Sequence, residues 1–116
     1  MGERVFPYAE SVVKDAFELI QPTRFMIYRN LKAHSASDLG SGMYAGQIAE
    51  ELERDRKLIS FHLAALEELG LVESDFKVTE PTNGTPKAAR YYWLTDKADQ
   101  VLKEFKKQLT PPKISP

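Results

Sequence analysis

The stretch Gln47–Val72, QIAEELERDRKLISFHLAALEELGLV, constrains this chain more than any other. It holds two short helical patterns joined by a tight turn at Glu53-Arg54. The second pattern has two unlike faces. Ile59, Leu63 and Leu66 fall on one side at helical spacing. Lys57, Ser60, Phe61 and Ala64 fall on the other, with Arg56 at the edge. An apolar stripe inward and a small, polar and basic stripe outward suit a helix that packs on its own domain and also enters a DNA groove.

The flanking sequence supplies a frame for that helix pair. Phe6, Ala9, Val12, Val13, Ala16, Phe17 and Ile20 recur at spacings of three and four, which predicts an amphipathic helix over 7–20 with Pro7 in its first turn. Pro22 interrupts the pattern, and Thr23 is placed to cap a second helix carrying Phe25, Ile27, Tyr28 and Leu31. Ser35–Gly42 reads as a loop, and Met43-Tyr44 as a very short strand. Helices over 46–52 and 56–69 follow, the second capped by Asp55 and ended by Gly70. Then the period changes. Leu71, Val72, Phe76 and Val78 predict one strand and Ala89–Leu94 another, with a turn at Asn83-Gly84 between them. Thr95 is placed to cap a last helix reaching Leu109, with Ala98, Val101, Leu102, Phe105 and Leu109 on one face. The predicted class is mainly α with a β-hairpin: a winged helix-turn-helix of about five helices, a two-stranded wing and a short first strand.

A chain of 116 residues is long enough for one domain, expected over 1–110 with a disordered tail at 111–116. Hydrophobic residues make up 42% of it, which fits a globular protein with a core. The absence of cysteine removes disulfides, thiolate metal sites and cysteine nucleophiles together. No apolar run reaches the roughly 20 residues of a membrane span. Met1–Phe17 lacks the basic-then-apolar build of a leader, so a cytoplasmic location is expected. A net charge of −1 counts mildly against DNA, whose affinity for proteins comes largely from phosphate neutralisation. Locally the balance differs: Arg54, Arg56 and Lys57 face Asp55 alone, while Glu50, Glu51, Glu53, Glu67 and Glu68 lie elsewhere.

Lys57, Ser60 and Phe61 are candidates for base edges or a thymine methyl, and Arg56 for a base or a phosphate. The bland reading is a solvated helix face. Lys87 and Arg90 either bracket the wing and touch DNA or simply keep a hairpin soluble. His62, on the inward edge of the fourth helix, would need partners for a metal role and has none at helical spacing, so a structural role or a phosphate contact is expected. His34 ends the second helix, where a cation favours the dipole. Tyr91 and Trp93 share one strand face and Tyr92 takes the other, which fits packing between hairpin and helices. No Ser-His-acid spacing, phosphate-binding glycine loop or metal motif is present, so neither an enzyme nor a cofactor is expected.

These segments resemble the winged-helix regulators of the ArsR type. The resemblance is carried by Phe17–Tyr28 with its Pro22-Thr-Arg24, by Gln47–Val72 without a gap, and by Arg90-Tyr-Tyr-Trp-Leu-Thr95; it covers roughly 10–108. MarR-like and related groups share much of the pattern. The resemblance implies double-stranded DNA as partner, with Arg54, Arg56, Lys57, Ser60, Phe61, His62, Lys87 and Arg90 near it. It also implies a homodimer through the terminal helices, with Val12, Val13, Ala16, Val101, Leu102, Phe105 and Leu109 at the interface. Glu53 stands where the family often has glycine, and Arg54 where it often has an apolar residue, so Arg54 is free to face solvent or phosphate. The family's metal sensors use Cys-rich or His and carboxylate clusters, and this chain has only His34 and His62. The expected function is a dimeric repressor without the usual metal sites and with an unknown effector. The rival is a winged-helix module that binds protein in a transcription or scaffold assembly.

Overall fold

Pro22 begins a helix. With its φ already near helical values and no N–H to satisfy, proline suits a first helical position, and the Gln21 carbonyl accepts the first bond, from the Phe25 N–H at 2.8 Å. Gln21 therefore takes the cap position expected for Thr23, which lies inside the helix. The computed structural model describes residues 7–37, 42–79 and 87–111. In chain order the elements are α1 (Pro7–Leu19), α2 (Pro22–Ser37), β1 (Met43–Tyr44), α3 (Ala45–Leu52), α4 (Arg56–Glu68), β2 (Val72–Thr79), β3 (Lys87–Leu94) and α5 (Asp96–Gln108). The loop expected from Ser35 is a correction: α2 continues through Ser37. The expected Asn83-Gly84 turn lies outside the described residues, as do residues 112–116 of the expected tail.

The strands form one antiparallel sheet in the order β1-β3-β2. Met43 pairs with Tyr92, and the wing pairs run from Val72 opposite Leu94 to Thr79 opposite Lys87 without a bulge. Leu71 is not the first strand residue. It belongs to the end of α4, where Gly70 at φ +77° lets the chain turn back. The Leu71 N–H reaches the Leu66 carbonyl at 2.9 Å and the Gly70 N–H the Glu67 carbonyl at 2.9 Å. Leu66 and Leu71 are both fully buried, so the same turn that satisfies the helix end also fills the core.

The core lies where the stripes of α2, α3 and α4 meet the sheet. Ile27, Leu31, Met43, Ile48, Ile59, Leu63 and Val72 are buried there, with Tyr92 and Leu94 packed against them. Alternation puts Tyr91 and Trp93 on the outer face, where the Trp93 Nε1 donates to Glu73 at 3.2 Å. At the other end α1 lies against α5: Phe17 meets Phe105 edge-on at 6.0 Å and Lys97 pairs with Asp15 at 3.3 Å. Asp99 fastens α5 to α2, accepting from the Tyr28 hydroxyl and the Lys32 ammonium, both at 2.7 Å. Burial pulls its carboxyl up, but these two donors hold it below the usual carboxylate range. Thr95 stands at the cap of α5, yet its hydroxyl does not cap the helix; it donates to the Gly70 carbonyl at 2.6 Å and ties α5 to the end of α4. No helix among the described residues is long and apolar enough to cross a membrane.

Candidate nucleic-acid interface

Glu53 takes the conformation that glycine usually takes in such turns. Its φ of 55° and ψ of 51° are left-handed, and they turn the chain sharply out of α3. The Arg54 N–H returns to the Ala49 carbonyl at 3.0 Å. The Arg54 side chain wraps the same corner, its Nη1 donating to the Leu52 and Glu53 carbonyls at 3.2 and 3.3 Å. An arginine at this corner satisfies carbonyls that a helix end leaves open. It remains exposed to solvent, as its departure from an apolar residue suggests. Asp55 then caps α4, accepting from the Leu58 N–H at 3.1 Å.

On α4 the two faces separate as the spacing predicts. Ile59, Leu63 and Leu66 are fully buried. Arg56, Lys57, Phe61 and Ala64 are exposed, and Ser60 is half-buried. Phe61 leaves 62% of its surface open, and Leu58, which the spacing does not single out, 40%. Arg56 leans towards the start of α3: a Cβ placed on Gly46 would lie 3.8 Å from the Arg56 Cζ and 3.4 Å from the Tyr44 ring. Tyr44 meets Tyr91 edge-on at 5.6 Å, and Lys77 Nζ lies 5.4 Å from the Tyr91 ring centre. This aromatic and basic group beside the helix pair was not legible in the sequence. Strand pairing across 47 positions brings Tyr44 and Tyr91 together, and no local pattern encodes it.

His62 is tied inward. Its Nδ1 accepts from the Arg24 Nε at 2.9 Å, so that nitrogen carries no proton. Burial first, then the Arg24 charge, pull the imidazole below its ordinary value. Arg24 is only 7% exposed, and its Nη1 also reaches the Glu18 carboxylate at 2.7 Å. One guanidinium thus links the end of α1, α2 and the outward face of α4, since the His62 ring meets Phe61 edge-on at 5.3 Å. His34 stands in the last turn of α2, as expected, and makes a contact the sequence does not show: its Nε2 lies 3.0 Å from Glu51 on α3. The Asn30 amide and then His34 hold the Glu51 carboxyl below its usual range.

On the wing, Arg90 is half-buried; its guanidinium lies 4.2 Å from the Phe76 ring centre and donates to the Ser74 hydroxyl at 2.7 Å. Lys87 opens β3, and its side chain lies outside the described part of the structure. Among the residues expected at a dimer interface, Ala16 and Val101 are buried in the chain's own core. Val12, Val13, Leu102 and Phe105 are half-buried and Leu109 is exposed. An open groove of about 570 Å³ runs between α1 and α5 past Val12, Asp15, Lys97 and Glu104. Among the described residues no group of three or more His, Asp or Glu side chains could hold a metal ion.

Residues 19–75 match the family model of a helix-turn-helix domain. The architecture is similar to two crystal structures, the YusO protein from Bacillus subtilis and a MarR family transcription regulator. The first is 22% identical, with 87% of this chain and 64% of that chain covered and a TM-score of 0.50. The second is 21% identical, with 87% and 59% covered and a TM-score of 0.52. The fold is a winged helix-turn-helix. In its terms α3 and α4 are the helix-turn-helix, α4 is the outward helix, and β2 and β3 are the wing. The chain spans less than two thirds of the length of either structure. No curated protein matches its sequence. The likeness reaches the winged helix-turn-helix in general and does not single out the ArsR type.

Proposed function

We propose that this chain is a sequence-specific, double-stranded DNA-binding transcriptional regulator that works as a homodimer and represses by covering a promoter. The observation that carries the reading is the α4 surface. A firmly capped helix presents Arg56, Lys57, Ser60 and Phe61 outward, while the opposite stripe is fully buried. The matched helix-turn-helix region and the transcription-regulator role named for one structural neighbour support it. In this reading Lys57, Ser60 and Phe61 meet base edges, Arg56 and Arg54 meet phosphate, and Lys87 follows the neighbouring backbone. His62 acts from behind, by holding Phe61. Phe17, Ile20 and Leu109, all exposed on α1, the turn after it and the end of α5, supply apolar surface for a second copy. Such a regulator resembles ArsR and MarR types alike, and needs no metal in order to bind.

Selection of bound duplexes from a random pool, followed by footprinting, tests this directly. Paired half-sites about one helical turn apart are expected. On the selected site Arg56→Ala with Lys57→Ala should weaken binding at least several-fold and flatten its salt dependence. Chelator should leave the affinity unchanged. Unaltered affinity in the double variant would remove α4 from the reading. A second reading, a protein-binding winged helix, is favoured by one observation: Phe61, Phe76 and Val78 leave 62%, 59% and 69% of their surface exposed. That module would show no affinity for random duplex even at low salt.

A further inference from the structure

The root of the wing is fastened to the outward helix by a side-chain relay that crosses from α4 to β2 to β3. The Ser74 hydroxyl donates to the Glu67 carboxylate at 2.8 Å and accepts from the Arg90 Nη1 at 2.7 Å. The Arg90 guanidinium lies over Phe76, its Cζ 4.2 Å from the ring centre. Strand register explains why these groups meet. Ser74 stands opposite Tyr92, and Phe76 opposite Arg90, so all four share the sheet face that looks towards α4. Serine is suited to the middle position because one hydroxyl both donates and accepts. Arginine is suited to the end because its planar group can hydrogen-bond at its edge while its face covers a ring.

We infer that Arg90 is a positioning residue, which sets the angle between the wing and α4 through Ser74 and Glu67, and is not itself a phosphate contact. The inference rests on the DNA-binding reading and replaces the direct role first expected for Arg90. It follows from geometry: the guanidinium already has a stacking partner and a hydroxyl partner, and both lie on the helix-facing side of the sheet. Among the described residues, the hairpin beyond this point has only its own two strands. A two-stranded ribbon is marginal by itself. Without the relay, the wing loses its fixed direction relative to the reading helix.

The sign of one substitution separates positioning from charge. Glu67→Ala removes a negative charge from a DNA-binding protein, which by electrostatics alone tightens binding. Loss of the relay weakens it. The experiment is a salt series of binding titrations on the selected duplex with intact protein. It compares wild type with Glu67→Ala, Ser74→Ala, Arg90→Ala, Arg90→Lys and the Ser74→Ala/Arg90→Ala pair, with Lys57→Ala as the contact reference. Each relay variant is expected to weaken binding about fivefold, and the pair no more than its worse member. Arg90→Lys should lose nearly as much as Arg90→Ala, and all should keep the wild-type salt slope. Amide exchange in the wing root should quicken in free Ser74→Ala while α4 stays protected, which shows that the variant is folded. Three results would overturn the inference: tighter binding by Glu67→Ala, rescue by Arg90→Lys, or a slope reduced by about 0.9 in Arg90→Ala, as for one lost phosphate contact. Wild-type protein that bound no duplex at low salt would overturn the DNA reading itself, and the positioning role with it, before any variant was measured.

Discussion

Glu53 shows how a single residue can settle a turn against its own preference. A left-handed backbone costs an L-residue roughly 1–2 kcal/mol, and glycine avoids that cost at the expense of a freer unfolded chain. The expectation is therefore that Glu53→Gly leaves stability unchanged or raises it by up to about 1 kcal/mol, whereas Glu53→Val costs at least about 1 kcal/mol. Urea melts of the three proteins check both directions together. His62 carries a second prediction at this scale. Its folded value lies below the ordinary 6.5, so the unfolded chain takes up the proton first. Stability from this site is complete above about pH 6.5 and declines as the pH drops below it towards the folded value. His62→Gln can still accept from Arg24 but does not titrate, so it should lose less stability than wild type between pH 7.5 and 5.5. Thermal melts at the two pH values measure this; equal losses would count against the lowered imidazole value. That contact was not legible in the sequence, because 38 positions separate the two residues.

Among the elements, legibility followed the reach of the signal. The faces of α4, the Asp55 cap and the Gly70 stop were all readable, because each depends on residues within one or two helical turns. The start of α2 was misjudged for a related reason. Proline reads as an interruption from its N-terminal side and as a helix start from its C-terminal side, and only the Gln21–Phe25 bond decides between them. The end of α2 was misjudged because Ser35 and its polar neighbours resemble a loop, while the buried Leu31 and the His34–Glu51 contact hold that turn helical. Thr95 was placed correctly as the residue before α5 and given the wrong partner, since its acceptor lies 25 positions away. Asp55→Ala should cost about 1 kcal/mol through loss of the cap. It should also quicken amide exchange in the first turn of α4 while leaving α5 unchanged, and uniform quickening would contradict a local role.

At the scale of the whole molecule, α5 closes the chain on itself. Tyr28 and Asp99 are 71 positions apart, and burial followed by the Asp99 bond pushes the Tyr28 phenol up to about 12. Tyr28→Phe should cost about 1 kcal/mol, read from chemical denaturation, because Asp99 keeps its Lys32 partner. The candidate DNA surface was largely legible, being written on one helix, while the ties that aim it join separate elements and were not. Sedimentation showing a monomer at tens of micromolar would count against the proposed dimer. One further consequence follows from the strand order. Among the described residues β2 is an outer strand, so its far backbone edge can take up a strand from another molecule, and Phe76 and Val78 make that association attractive. Glu73, Asp75 and Lys77 alternate with them and act as the guard against fibre-like stacking. Adding a charge with Val78→Lys should slow aggregation on storage, as turbidity would record, and replacing Lys77 with an apolar residue should hasten it.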